Sequence, residues 1–214
     1  MAFIEDKYKY LEDKFNYLCV PTKESWDIYE HLATLAKYAS ECESVFETGV
    51  RGVISSWALS RGLLYNGKHK KLIFMNDISK CNTEELFSVL KDLPIVVKTE
   101  WKNNLEIEFD QSYDLTFIDT WHVYAQLKRE LAKFAPITNK YIIMHDTTVD
   151  EWEGESIRSG WNISKQAAET GFPEEEIARG LWPAVAEFVE ANPNWVIHER
   201  YTNNNGLTIL KRLY

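Results

Sequence analysis

Two short segments hold the residue types from which a metal-assisted proton transfer could be assembled: Phe117-Ile118-Asp119-Thr120-Trp121-His122 and Met144-His145-Asp146-Thr147. Each is an apolar run that ends abruptly in carboxyl and imidazole groups. A buried parallel strand reads this way when it delivers polar side chains to a cleft at its carboxyl end. Two neighbouring strands of this kind would bring Asp119, His122, His145 and Asp146 towards one place. Carboxylates suit hard divalent cations, imidazole suits borderline ones, and an imidazole with an ordinary pKa of about 6.5 can take a proton near neutrality.

Each of these residues also has a plain structural reading. Asp119 can cap the helix that follows. His122 can sit in a first helical turn and bond a neighbouring backbone group. His145 can be a packed, hydrogen-bonded histidine or an outer-shell group. His31, His69 and His198 have no constellation around them and are expected at the surface.

A second constellation is Glu47-Thr48-Gly49-Val50-Arg51-Gly52, placed between a strand and a helix. Glycine there permits a tight turn and close approach of a ligand, with a helix N-terminus behind it. The GxxG spacing is not the GxGxxG of dinucleotide folds and is weak by itself. Asp77 adds to it by ending the next strand, where a carboxylate can accept hydrogen bonds from two ribose hydroxyls. Two acids at adjacent strand ends suit an adenosine with a cationic tail better than one with a pyrophosphate, which Glu47 would repel. S-adenosyl-L-methionine is such a ligand.

The elements that must position these groups alternate. Strands are expected at 44–47, 72–77, 95–99, 114–119 and 141–145, with helices at 53–64 and 83–90 and one after 119 that carries Tyr124, Leu127, Leu131 and Phe134 on one face. This pattern implies a parallel sheet covered on both faces. The tail, Trp195–Tyr201 and Leu207–Lys211 around an Asn/Gly turn, reads as an antiparallel hairpin. Helices are expected at 3–16 and from Pro21-Thr22 onwards. Segment 147–180 breaks the alternation; it reads as a lid-like insertion with one short helix near Ser164–Glu169, and Trp152, Arg158 and Trp161 are candidates for acceptor contacts. The expectation is a single domain over 1–214, with 1–43 as N-terminal helices that the sheet does not need and that are available to pair subunits in a homo-oligomer.

Composition narrows the function classes. A formal net charge of −9 argues against a nucleic-acid partner. No apolar run approaches the roughly 20 residues of a membrane span, and the charged N-terminus lacks the apolar centre of a secretion signal. A cytoplasmic protein is expected, with Cys19, Cys42 and Cys81 as reduced, buried thiols. Ten Phe, eleven Tyr and eight Trp supply core and, near strand ends, walls for a small-molecule pocket.

The chain resembles class I S-adenosylmethionine-dependent methyltransferases. It is most similar to the branch containing cephalosporin-hydroxylase-type proteins and metal-dependent O-methyltransferases of macrolide sugars. The match lies in Val45-Phe46-Glu47-Thr48-Gly49-Val50-Arg51-Gly52, Phe117–His122 and Tyr141–Thr147, and continues in Leu181–Phe188 and Asn205–Lys211, so that it covers about residues 40–214. The resemblance implies an α/β fold: a doubly wound, Rossmann-like methyltransferase sheet, mostly parallel, with a C-terminal antiparallel hairpin. It further implies that Glu47, Thr48, Gly49, Gly52, Asp77 and Asp119 bind S-adenosyl-L-methionine, and that Asp119 and Asp146, with His145, hold Mg²⁺. His122 would be the general base, assisted by Asp119. Metal-dependent members often carry two adjacent acids where this chain has His145-Asp146, which brings Mn²⁺ into consideration. The implied activity is O-methylation of a small-molecule hydroxyl, a sugar hydroxyl in particular. The alternatives are a non-catalytic module that keeps the fold and an NAD-dependent oxidoreductase, the latter disfavoured by the missing GxGxxG.

Overall fold

The computed structural model describes residues 2–65 and 70–214; His69 lies outside them. The chain divides into two compact units, Met1–Phe117 and Ile118–Tyr214. Among the described residues seven strands run in the order β3-β2-β1-β4-β5-β7-β6 (β1 Ser44–Thr48, β2 Lys71–Asp77, β3 Ile95–Trp101, β4 Tyr113–Ile118, β5 Thr138–His145, β6 Trp195–Tyr201, β7 Leu207–Arg212). This is the mostly parallel, Rossmann-like sheet with a C-terminal antiparallel hairpin that the sequence predicts.

In the first unit β1, β2 and β3 pair in parallel, with Phe46 opposite Phe74 and Met75 opposite Thr99. Phe46, Phe74, Phe109 and Tyr113 form one aromatic cluster, with Phe46 5.0 Å from Phe109 edge-on and 5.2 Å from Phe74. Helix α3 (Ile54–Tyr65) is buried on almost every side, from Ser55 to Leu64, which is why its sequence is apolar without a clear stripe. Helix α2 (Leu32–Ser40) packs on it. Helix α1 (Ala2–Leu18) carries the opposite pattern: Leu11, Phe15 and Leu18 recur at helical spacing and are buried, each adding roughly 1.5–3 kcal/mol. It packs on α3 and on α4 (Glu84–Leu90). Arg61 clamps Glu12 with two hydrogen bonds of 2.9 and 3.0 Å.

The second expected helix starts later than its Pro21-Thr22 signal suggests. Thr22 Oγ1 accepts from Ser25 N, which makes a turn, and the helix proper begins at Leu32 after a single 3-10 turn. His31, expected at the surface, is buried in that turn.

In the second unit β5 and β6 both pair antiparallel with β7, and the register of β6 shifts between Ile197 and Glu199, next to the exposed His198. Helix α5 (Tyr124–Phe134) buries Tyr124, Leu127, Leu131 and Phe134, the face read from sequence, and packs against α9 (Leu181–Ala191). The 147–180 segment holds three short helices: α6 (Glu155–Arg158), α7 (Ile163–Thr170) and α8 (Glu174–Ala178). They close over Val123, Ala125 and Ile177, with Trp121, Ile163, Ala167 and Phe172 packed against these three. Of these the sequence predicts only α7; four- and five-residue helices carry too few periods to read. No described helix is long and apolar enough to cross a membrane.

Candidate functional site

Sheet order reverses between β1 and β4, and open α/β sheets bind ligands at the carboxyl ends of strands beside such a reversal. The loop leaving β1 there is conformationally unusual. Gly49 (φ 90°), Arg51 (φ 38°) and Val53 (φ 66°) are all left-handed. Gly49 adopts this freely, but a β-branched Val53 does so at a cost, and such strain collects at ligand loops. The loop is tied down from both sides. Gly49 N donates to Asn76 O at 2.9 Å, while Asp77 accepts from Arg51 N at 2.9 Å and from Ser79 N at 3.0 Å.

Glu47 is fully buried and accepts from Ser55 Oγ (2.5 Å) and Ser56 Oγ (2.6 Å) in the first turn of α3, so its carboxylate braces the loop from beneath. Thr48 Oγ1 donates to Asn76 Oδ1 at 2.8 Å and accepts from Asn104 Nδ2 at 2.9 Å. Asn76 in turn donates to the carbonyls of Glu100 and Lys102. This buried amide network ties together the ends of three strands. The one sequence signal for it was an asparagine inside the apolar run of β2. A Cβ on Gly52 would meet only Ile54, at 3.5 Å, leaving that position open. Cys42 is buried, but Cys19 and Cys81 are only half-buried. Burial, reinforced by Asp77, pushes the Cys81 thiol up to about 12, which makes it a poor nucleophile.

The second unit gathers the acid and imidazole groups. Asp119 through His122 form a turn ahead of α5, whose N-cap position is Val123, so Asp119 does not cap that helix. Thr120 Oγ1 donates to the buried Glu130 at 2.7 Å and fixes the turn. His122 Nε2 lies 3.3 Å from Asp119 Oδ1 and 3.1 Å from Asp146 Oδ2. His145 Nδ1 lies 3.6 and 3.2 Å from the same two oxygens. Asp146 itself is left-handed, at φ 58°, which turns its carboxylate back towards the pair of rings.

Behind the rings, the other nitrogen of each faces oxygen atoms. His145 Nε2 is 3.1 Å from Asn204 O and must be the donor, since a carbonyl only accepts. That fixes the neutral tautomer so that the Nδ1 lone pair faces the carboxylates, the arrangement in which histidine ligates metals. His122 Nδ1 faces Asp150 Oδ2 at 3.2 Å and Glu155 Oε2 at 3.6 Å. Asp150 and Glu155 were not singled out from sequence, although Asp150 follows Asp146 by four residues, one turn on.

Protonation follows from this crowding. Burial would raise the Asp119 carboxyl, but His145 and His122 hold it far below the usual range. Burial opposes charge on His145 as well, yet the Asp119 and Asp146 carboxylates lift it to about 10. His122 is raised against its burial by Asp119, Asp150 and Asp146. Two extra protons between carboxylates are what a divalent cation would replace. The donors of Asp119, His145 and Asp146 lie within 4.8 Å of one another, as do those of His122, Asp146 and Asp150, so mixed oxygen and nitrogen ligation fits.

Of the expected acceptor contacts, Trp152 (65% exposed) and Trp161 (47%) stand in solvent, whereas Arg158 is turned onto Asp150. Trp121 stacks on Phe172 at 6.4 Å and donates to Ser156 Oγ, covering the insertion's small core. The large groove of this unit, about 510 Å³ beside Lys128, Phe188, Trp195 and Arg212, contains none of the candidate residues.

No family model matches the chain, and no curated protein does. Solved structures do. An O-methyltransferase from Bacillus cereus in complex with S-adenosylhomocysteine is similar at 12% identity over 97% of this chain and 90% of that one, with a TM-score of 0.55. A Klebsiella pneumoniae protein proposed to be an O-methyltransferase has a TM-score of 0.60 at 12% identity over 97% and 90%. The N-methyltransferase NodS of Bradyrhizobium japonicum WM9, bound to S-adenosylhomocysteine, reaches 0.54 at 10% identity over 97% and 99%. At such identities the likeness speaks to architecture, and the architecture is that of the class I S-adenosylmethionine-dependent methyltransferases.

Proposed function

We propose that the protein is an S-adenosyl-L-methionine-dependent O-methyltransferase of small molecules, with a sugar hydroxyl as the favoured acceptor. It would act in the cytoplasm with a divalent cation held by Asp119, Asp146 and His145. The observation that carries this reading is the convergence of His122 Nε2 and His145 Nδ1 on one pair of carboxylates in a chain with a methyltransferase fold. Methyl transfer from a sulfonium is an in-line displacement that needs alignment of acceptor and methyl group and removal of the hydroxyl proton. A bound divalent cation supplies positive charge that acidifies a nearby hydroxyl. His122 would serve as base for the acceptor hydroxyl, its ring held beside the Asp119 and Asp146 carboxylates. Imidazole in the donor set favours Mn²⁺ beside Mg²⁺.

For the cofactor, Asp77 keeps lone pairs for ribose hydroxyls while its two backbone donors hold it in place. Gly49 and Gly52 leave the loop bare for close approach, and Glu47 and Thr48 hold its shape. Asp119 is assigned to the same cofactor by the sequence resemblance. The bound S-adenosylhomocysteine in similar structures supports that ligand.

Thermal melts with S-adenosylhomocysteine, with NAD and without ligand test the reading. At 100 times its Kd a ligand stabilises by about 2.7 kcal/mol. A shift with S-adenosylhomocysteine alone is expected. A shift with NAD alone would make the protein an oxidoreductase, and none with either would leave a non-catalytic module. Full methyl transfer in excess EDTA would remove the metal from the mechanism.

A further inference from the structure

We propose that the turn between β6 and β7, residues 203–206, is a positioning element of the candidate metal centre, and that its backbone rather than its side chains holds Asp146 and His145 in place. This rests on the reading of those two residues as metal ligands. Leu207, the first residue of β7, pairs with His145, the last residue of β5, so the turn overhangs the point where β5 delivers its polar groups. Two carbonyls of the turn reach across. Asn204 O receives His145 Nε2 at 3.1 Å, and Asn205 O receives the N–H groups of Thr148 and Val149 at 2.9 and 3.0 Å. Just beyond the turn, Thr208 Oγ1 donates to Thr147 Oγ1 at 2.9 Å, both residues being fully buried.

The clamped segment is the one that aims Asp146. That residue is left-handed at φ 58°, and the segment closes one turn later with Asp150 N donating to Asp146 O at 3.1 Å. Between those ends Asn205 O fixes two consecutive N–H groups, so Asp146 keeps a backbone conformation that a residue with a side chain seldom adopts unaided. A return of its φ to the ordinary negative range would swing the carboxylate away from Asp119 and the two rings.

The turn is built for close approach. Asn204 (φ 43°), Asn205 (φ 68°) and Gly206 (φ 95°) are left-handed in succession, and Gly206 N closes the turn on Asn203 O at 2.8 Å. Asparagine tolerates this region and glycine adopts it freely. At Gly206 space is required as well, because a Cβ there would stand 2.6 Å from Thr148 N and 2.7 Å from Thr148 Cβ. The bonds that Asn204 and Asn205 send to His145, Thr148 and Val149 leave from carbonyls. The clamp therefore needs the left-handed backbone and not the Asn205 amide.

The test is the Mn²⁺ affinity of the folded full chain in Asn205→Gly, Asn205→Ala and Gly206→Ala, with melting temperatures measured alongside. Both changes at Asn205 remove the amide, but only glycine keeps the left-handed backbone free of strain. Asn205→Gly is expected to bind within about threefold of the wild type, and Asn205→Ala and Gly206→Ala about tenfold or more weaker, the usual effect of losing an outer support of a metal site. A turn that only joined two strands would lower the melting temperature and leave Mn²⁺ affinity of the folded protein unchanged in all three, and that result overturns the proposal. So does an equal loss in Asn205→Gly and Asn205→Ala, which would assign the effect to the side chain. If Gly206→Ala does not fold, the two changes at Asn205 decide by themselves. No Mn²⁺ binding by the wild type removes the reading of Asp146 and His145 as ligands, and the proposal with it.

Discussion

His145 shows how a single contact decides what a side chain can do. Its Nε2–H is committed to the Asn204 carbonyl, so whatever chemistry it has runs through Nδ1. In the metal-free protein its pKa is raised to about 10, and the ring is an imidazolium at pH 7. A ligand must be neutral, so binding through His145 has to expel that proton. Calorimetric titration with Mn²⁺ at pH 7, in buffers of different ionisation enthalpy, is expected to show release of about two protons per ion, one from His145 and one from His122, and affinity that rises with pH. No release would leave His145 outside the ligand set. The stability of the metal-free protein should run the other way. A histidine with a raised folded pKa contributes fully below its unfolded value of about 6.5, and that contribution is lost as pH rises towards 10.

At the scale of elements, the loop after β1 and the ion pairs of α1 make separable predictions. Gly49→Ala puts a Cβ on a residue at φ 90°, a conformation costing other residues roughly 1–2 kcal/mol. A lower melting temperature is expected, together with weaker S-adenosylhomocysteine binding than the stability loss alone would give. Unchanged affinity would separate the loop from the cofactor. Helix α1 is held on α4 partly by charge: Tyr10 and Lys14 reach Glu85, and Lys7 reaches Asp92 at 2.8 Å. Burial is the largest single influence on the Glu85 carboxyl and raises it, but Tyr10 and Lys14 together hold its pKa below the ordinary value. Its contribution is therefore present above about pH 4.5 and lost as pH falls through the lower folded value. Amide exchange in α1 should accelerate at pH 3.5 beyond the intrinsic trend, and less so in high salt, since exposed pairs are screened. Equal acceleration across α1 and α3 would assign the loss to global unfolding.

For the molecule as a whole, the formal charge of −9 is the simplest constraint on partners. Counterion release, which dominates nucleic-acid affinity, needs a basic surface. No retention on immobilised duplex DNA is expected at about 50 mM salt; salt-sensitive retention would reopen that class. Sheet order is the other whole-molecule property, and the predicted parallel strands and hairpin are all present.

The sequence by itself determined the strands, α3, α5 and the terminal hairpin. Hydrophobic periodicity and turn chemistry are written over a few consecutive residues, so Tyr124, Leu127, Leu131 and Phe134 could be placed on one face without knowing what lay opposite. It also put Asp119, His122, His145 and Asp146 at strand ends. Only the tertiary structure decided which atoms of those groups meet. His145 takes its orientation from Asn204, far along the chain, and His122 faces Asp150, a residue inside an insertion with no readable pattern. Glu47, equally visible as an acid at a strand end, turned to the hydroxyls of Ser55 and Ser56. A side chain's rotamer is set by the partners that packing brings within about 3 Å of it, and those partners are not encoded by any local spacing.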